Sequence, residues 1–201
     1  MAIETDRLIE IYMGSFKTLE MYDGRDPLEP AVKDELERIE AILGSGTELP
    51  PGGENQAEAE IKYEDAASAI SRLKTALNAH DGFGRERAGA GLDGIINGVN
   101  MPIFGREFSL EEKAAKLLYE VLKQHPFEDG NKRIGSFLFV YFLNINGCLY
   151  RENGDLRIDS NTLAALAILI AKSESSTNQG MRGKVMGLTA QLLNDRNVLL
   201  D

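Results

Sequence analysis

From His125 to Arg133 the chain reads His-Pro-Phe-Glu-Asp-Gly-Asn-Lys-Arg, and almost every residue type in that run has a chemical use. His125 can take up a proton near neutral pH. Asp129 offers a hard carboxylate oxygen of the kind Mg²⁺ prefers. Gly130 allows backbone amides to approach a ligand, and a helix that starts beside it points unpaired N–H groups at an anion. Asn131 adds a side-chain donor, Lys132 a point charge, and Arg133 a planar fork suited to phosphate. A base, a metal ligand, an anion nest and a cationic clamp are the parts that phosphoryl chemistry requires. Phe127 is most simply the apolar anchor of the loop.

These residues must be held by their flanks. Ser109-Leu-Glu-Glu112 is a capping box, and it opens a helix whose buried stripe is Ala114, Leu117, Leu118, Val121 and Leu122. That helix should end near Gln124, because His125 precedes a proline. A second helix starts at about Lys132 with Ile134, Phe137, Leu138, Tyr141, Phe142 and Ile145 inside, and stops at Asn146-Gly147. A polar loop between two such apolar helices is the setting of a site that has to be rigid and partly dry.

Elsewhere the pattern is also helical. Residues 1 to about 42 carry two apolar stripes separated by the Gly24-Arg-Asp-Pro27 turn. Gly44 to Gly53 breaks the period and forms the clearest boundary. Ala57 to Ala79 resumes as helix, His80 to Gly94 is a glycine-rich loop, Asn161 caps a further helix, and Val185 to Leu193 is the last. Asn97-Gly98 lies between β-capable residues, so a short β-hairpin is expected over Gly94 to Phe104. The expected architecture is mainly α.

Composition narrows the function classes. The net charge of −10 argues against a nucleic-acid partner, which would require a broad basic face. It also means the few useful cations must be concentrated, as Lys132 and Arg133 are. A single cysteine, Cys148, forms no intrachain disulfide and no cysteine-based zinc site, which fits a reducing, cytoplasmic setting. No signal peptide or membrane span is evident in the sequence.

The His125–Arg133 run resembles the signature of the Fic/Doc (Fido) family, H-x-F-x-[DE]-[GA]-N-x-R. The resemblance extends from about Ile61 to Leu193 and does not cover residues 1–56. Glu111 to Tyr119 and Ile134 to Leu143 look closest to Fic domains associated with RhuM-type virulence proteins. It implies a catalytic domain over 57–201, a Fido-type helical bundle with a small hairpin flap, beside an N-terminal helical segment of unknown role over 1–56. The implied activity is Mg²⁺-dependent transfer of a phosphate-containing group from ATP or another nucleotide onto a protein Ser, Thr or Tyr hydroxyl. His125 would be the base, Asp129 the Mg²⁺ ligand, Phe127 the anchor, and Gly130, Asn131, Lys132 and Arg133 the phosphate-binding turn. Ile96, Asn97, Gly98, Val99 and Phe104 would form the flap that holds a target segment by strand addition.

Two positions depart from the pattern. Most adenylyl-transferring members have Gly where this chain has Lys132 and a second Arg where it has Ser136. Doc-type members carry Asn-Lys-Arg, although Gly130 is the Fic-like choice. Both AMP transfer and γ-phosphoryl transfer are therefore expected chemistries. The alternative from a different class is a catalytically inactive binding or nucleotide-sensing module on the same scaffold. No inhibitory [ST]-x-x-x-E-[GN] motif occurs, so restraint would fall to a separate inhibitory protein, a segment outside the chain, or homo-oligomerisation.

Overall fold

Apolar residues recurring at helical spacing become eight helices among the residues that the computed structural model describes, namely 2–23, 25–44, 55–89, 91–102, 108–173 and 179–193. They are α1 (Thr5–Asp23), α2 (Pro30–Gly44), α3 (Tyr63–Ala76), α4 (Leu92–Asn100), α5 (Leu110–Gln124), α6 (Asn131–Ile145), α7 (Ser160–Lys172) and α8 (Gln179–Leu193). Among the described residues no helix is long and apolar enough to cross a membrane.

The centre of the bundle is α6. Its Ile134, Phe137, Leu138, Phe139, Val140, Phe142 and Leu143 are all fully buried, because α5, α1, α7 and α3 pack around it. A helix apolar on nearly every side is stable only when enclosed in this way. It packs tightly against α5 at Gly135. A Cβ there would stand 2.3 Å from Leu122 Cδ1 and 3.2 Å from Val121 Cγ1. The glycine is what lets the two helices that flank the His125–Arg133 loop sit so near each other.

Three asparagines tie irregular chain to this central helix by one device. Each presents an amide that donates to the carbonyl and accepts from the N–H of a single residue, as a neighbouring strand would. Asn131 serves Phe127 (2.8 and 3.0 Å), Asn144 serves Ile3 (2.9 and 2.9 Å), and Asn146 serves Ala59 (3.2 and 2.8 Å). The backbone groups of these segments are thereby satisfied without a sheet.

The first two helices, α1 and α2, contribute to the same core. Leu8, Ile9, Tyr12, Phe16 and Leu19 of α1 are buried, and the Phe16 ring meets Phe137 edge-on at 6.1 Å. The Tyr12 hydroxyl donates to the Ile158 carbonyl at 2.7 Å. This packing brings the last turn of α1, with Glu20 and Asp23, against the start of α6.

The capping box at Ser109 and Glu112 forms as expected. Other expectations change: the last helix starts at Gln179 rather than Val185, and the loop expected over 80–94 gives way to α4 at Leu92. α3 begins only at Tyr63, so residues 57–62 are not helical. The cap of α7 is Asp159, which accepts from the Asn161 and Thr162 amides, and Asn161 lies inside the helix. The largest change is at the expected hairpin. Ile96, Asn97, Gly98 and Val99 belong to helix α4, with Leu92, Ile95, Ile96 and Val99 buried along one face. That spacing is a 3.6-residue period, and it outweighs the Asn-Gly turn signal. Asn97 instead donates to Asp93 one turn earlier, and Gly98 sits in open space where no turn is needed. Phe104 lies outside the described residues. Among the described residues, extended pairing is confined to isolated bridges: Phe83 with Asp129, Glu86 with Phe127, and Tyr150 with Leu156.

Gly135→Ala is expected to destabilise the fold by about 1–3 kcal/mol, the usual cost of overpacking a closed contact. The measurement is the urea midpoint, which should fall at constant slope.

Candidate active site

The loop after α5 is shaped by a few hard constraints. His125 ends the helix in the left-handed region (φ 50°, ψ 58°), which costs a non-glycine residue about 1–2 kcal/mol. Pro126 follows, and Phe127 is buried to 1% exposure. The Asn131 side chain then takes both backbone groups of Phe127, closing the loop onto the first turn of α6. Gly130 caps α6 at φ 87°, and its ideal Cβ would stand 2.4 Å from the buried Phe83 ring. Any side chain here meets both backbone strain and a core aromatic. Gly130 offers no side chain to the amides of the first helical turn, so these remain open to a ligand.

A second segment lies along the loop. Gly84 donates to the Asp129 carbonyl (3.2 Å), Glu128 to that of Arg85 (2.8 Å), and Arg87 to that of Pro126 (2.8 Å). Glu86 stands opposite Phe127 between the last two bonds, so its own N–H and C=O point to the far side of the pair. Its carboxylate is anchored, accepting from the Tyr63 hydroxyl (2.7 Å) and from the Leu92 amide that starts α4 (3.0 Å).

The charged groups converge on Asp129. Its Oδ2 accepts from Arg133 Nη2 at 3.1 Å and lies 3.0 Å from His80 Nε2. Arg133 is 5% exposed, with Nη1 on Glu20 at 3.0 Å and its guanidinium carbon 4.9 Å from the Phe83 ring centroid. Its Nε is buried with no partner. Lys132 bonds Asp23 at 2.6 Å and stands 5.9 Å from the Tyr22 ring. Both cations are therefore paired with acids from the last turn of α1. Ser136 lies wholly in the core, its hydroxyl unpartnered, and supplies no second cation.

His125 is surrounded differently. Burial holds its pKa below the ordinary histidine range, and the positive charges of Lys132, Arg87 and Lys123 push it the same way, against the Leu122 main chain. A lowered pKa keeps the imidazole neutral at pH 7, the form that accepts a proton.

The residues expected to act together thus form one loop. Asn131 differs from expectation in detail: its side chain is committed to Phe127, so what it offers an anion is its backbone N–H. The Asp129 Oδ1 has no partner among the described residues, and nowhere among them do three His, Cys, Asp or Glu side chains gather as a metal site. With one carboxylate oxygen free, Asp129 would fit a hard cation such as Mg²⁺ as a single protein ligand. The segment that pairs with the loop is residues 83–87; Ile96, Asn97, Gly98 and Val99 lie in helix α4 and take part in none of these bridges. The sequence reading missed Glu20, Asp23, Phe83, Arg87 and His80. Only His80 left a signal, being one of the chain's two histidines.

The model of the Fic/DOC family matches residues 7–143, starting within α1. Neither the curated proteins nor the solved structures compared with the chain include a significant match.

Removing a positive charge makes the protonated imidazole easier to form. Lys132→Gln is therefore expected to raise the His125 pKa, moving its NMR titration midpoint to higher pH; an unmoved midpoint would contradict the electrostatic account.

Proposed function

The chain belongs to the Fic/DOC family, and from that premise we propose that it transfers a phosphate-containing group from a nucleotide, ATP in the first instance, to a protein Ser, Thr or Tyr hydroxyl. The observation that carries this reading is that the loop places His125, whose pKa is held down by partial burial and by the like charges of Lys132 and Arg87, together with Asp129 and the open N-terminus of α6.

In this mechanism His125 accepts the proton of the target hydroxyl as its oxygen attacks phosphorus. The first amides of α6 and the Arg133 guanidinium carry the charge on the phosphate oxygens. Asp129 would hold a Mg²⁺ ion, whose charge would offset that of the donor's phosphates. Pyrophosphate leaves if AMP is transferred, and the nucleoside diphosphate leaves if the γ-phosphoryl group moves. The target segment lies along residues 85–87, where the outward N–H and C=O of Glu86 offer the backbone pairing assigned on sequence grounds to residues 94–104. With Ser136 in the core and Lys132 held by Asp23, Arg133 is the principal cation for the donor, and Glu20 competes with the phosphate for it.

ATP labelled at the α or the γ phosphate distinguishes the chemistries. Retained α label means AMP transfer, and γ label alone means phosphoryl transfer. Saturable binding with neither label on protein would replace the enzyme with a nucleotide-sensing module. His125→Ala should lower transfer by roughly 10²–10⁴-fold while leaving donor binding intact.

Glu20→Gln is expected to tighten Mg²⁺·ATP binding about two- to five-fold, the worth of an ion pair whose carboxylate is largely exposed. Calorimetry that finds weaker binding would show that Glu20 holds Arg133 in place for the donor.

A further inference from the structure

The two histidines of the chain meet at one loop, yet the mechanism above uses only His125. His80 lies in the turn before the segment that runs beside the loop, with its ring against Gly82. Its Nδ1 accepts the Gly82 N–H at 3.1 Å, and its Nε2 faces Asp129 Oδ2 at 3.0 Å. An imidazole that accepts at Nδ1 carries its hydrogen on Nε2, so the tautomer fixed by Gly82 makes His80 a donor to Asp129. With its hydrogen directed at the carboxylate, Nε2 has no lone pair to offer a metal ion.

Asp129 Oδ2 is thus held from two sides, by Arg133 from α6 and by His80 from the neighbouring segment. Two donors that meet one oxygen from different directions restrict the plane and the rotamer of the carboxylate, and the other oxygen is left for a cation. Arg133 alone would leave the carboxylate free to pivot about that bond, because a single N–H···O contact does not set the orientation of the group. When Arg133 turns toward an incoming phosphate, His80 is the contact that remains.

We propose that His80 is a positioning residue for Asp129, orienting the carboxylate so that its Oδ1 serves the Mg²⁺ of the donor complex. This rests on the functional reading above, in which Asp129 is the metal ligand. Partners of this kind typically contribute 10–100-fold to metal affinity.

The test is the affinity of the chain for Mn²⁺, a paramagnetic substitute for Mg²⁺, measured with a non-hydrolysable ATP analogue from the EPR signal of free Mn²⁺. Wild type, His80→Ala, His80→Gln and Asp129→Ala are compared, with thermal melting of each. His80 is 70% exposed at its side chain, so its truncation should not perturb the core. The expected result is about 10–100-fold weaker Mn²⁺ binding in His80→Ala at an unchanged melting temperature. His80→Gln, whose terminal amide can donate from nearly the place of Nε2, should recover most of it. Wild-type affinity in His80→Ala, or a His80→Gln as weak as His80→Ala, overturns the proposal and leaves Asp129 as ligand. Equal binding by wild type and Asp129→Ala overturns the functional reading itself, and this proposal with it.

Discussion

The arrangement of the site depends on one side chain serving one residue: the Asn131 amide that takes both the N–H and the C=O of Phe127. Phe127 is buried, and its backbone groups face away from the segment at residues 83–87, so without Asn131 they would be unpaired. Each lost bond costs on the order of 1–3 kcal/mol when a polar group stays buried. Because Asn131 is also the first residue of α6, the same two bonds fix where the helix N-terminus stands relative to His125. Gly130 completes the constraint, since Phe83 occupies the space of any Cβ there. Alanine, the other residue that the signature allows at this position, would collide with that ring in this chain.

The electrostatics then follow from scarcity. In a chain with 32 acidic and 22 basic residues, the cations at the loop do not stand alone. Arg133 is divided between Asp129 and Glu20, and Lys132 is drawn toward Asp23. These pairs offset the charge that would otherwise crowd the start of α6, where the helix dipole is already positive. Under the proposed function they would make donor binding an exchange, in which phosphate replaces a carboxylate on the same guanidinium. His125 escapes such pairing and is influenced mainly by burial and by like charge, which is why its proton affinity falls.

Much of this was legible in the sequence, for reasons that can be given residue by residue. Ser109 and Glu112 announced the start of α5, and Pro126 its end, because capping and proline chemistry are local. The loop residues were identifiable because they are consecutive. Residues 92–100 misled because an Asn-Gly pair is a local signal, whereas the burial of Leu92, Ile95, Ile96 and Val99 is a tertiary one. Glu20, Asp23 and Phe83 could not be found, since they reach the loop only through packing with residues far along the chain. His80 was exposed to view as a rare residue type, but its tautomer and its carboxylate partner are consequences of folding.

Central to the account is that the N-terminus of α6, as fixed by Asn131, receives the donor's phosphates. Backbone ¹H–¹⁵N spectra recorded while Mg²⁺·ATP is added test this most directly. Large, saturating shifts are expected at the amides of Asn131, Lys132 and Arg133. Saturation with those three amides unmoved, and shifts clustered elsewhere, would contradict it.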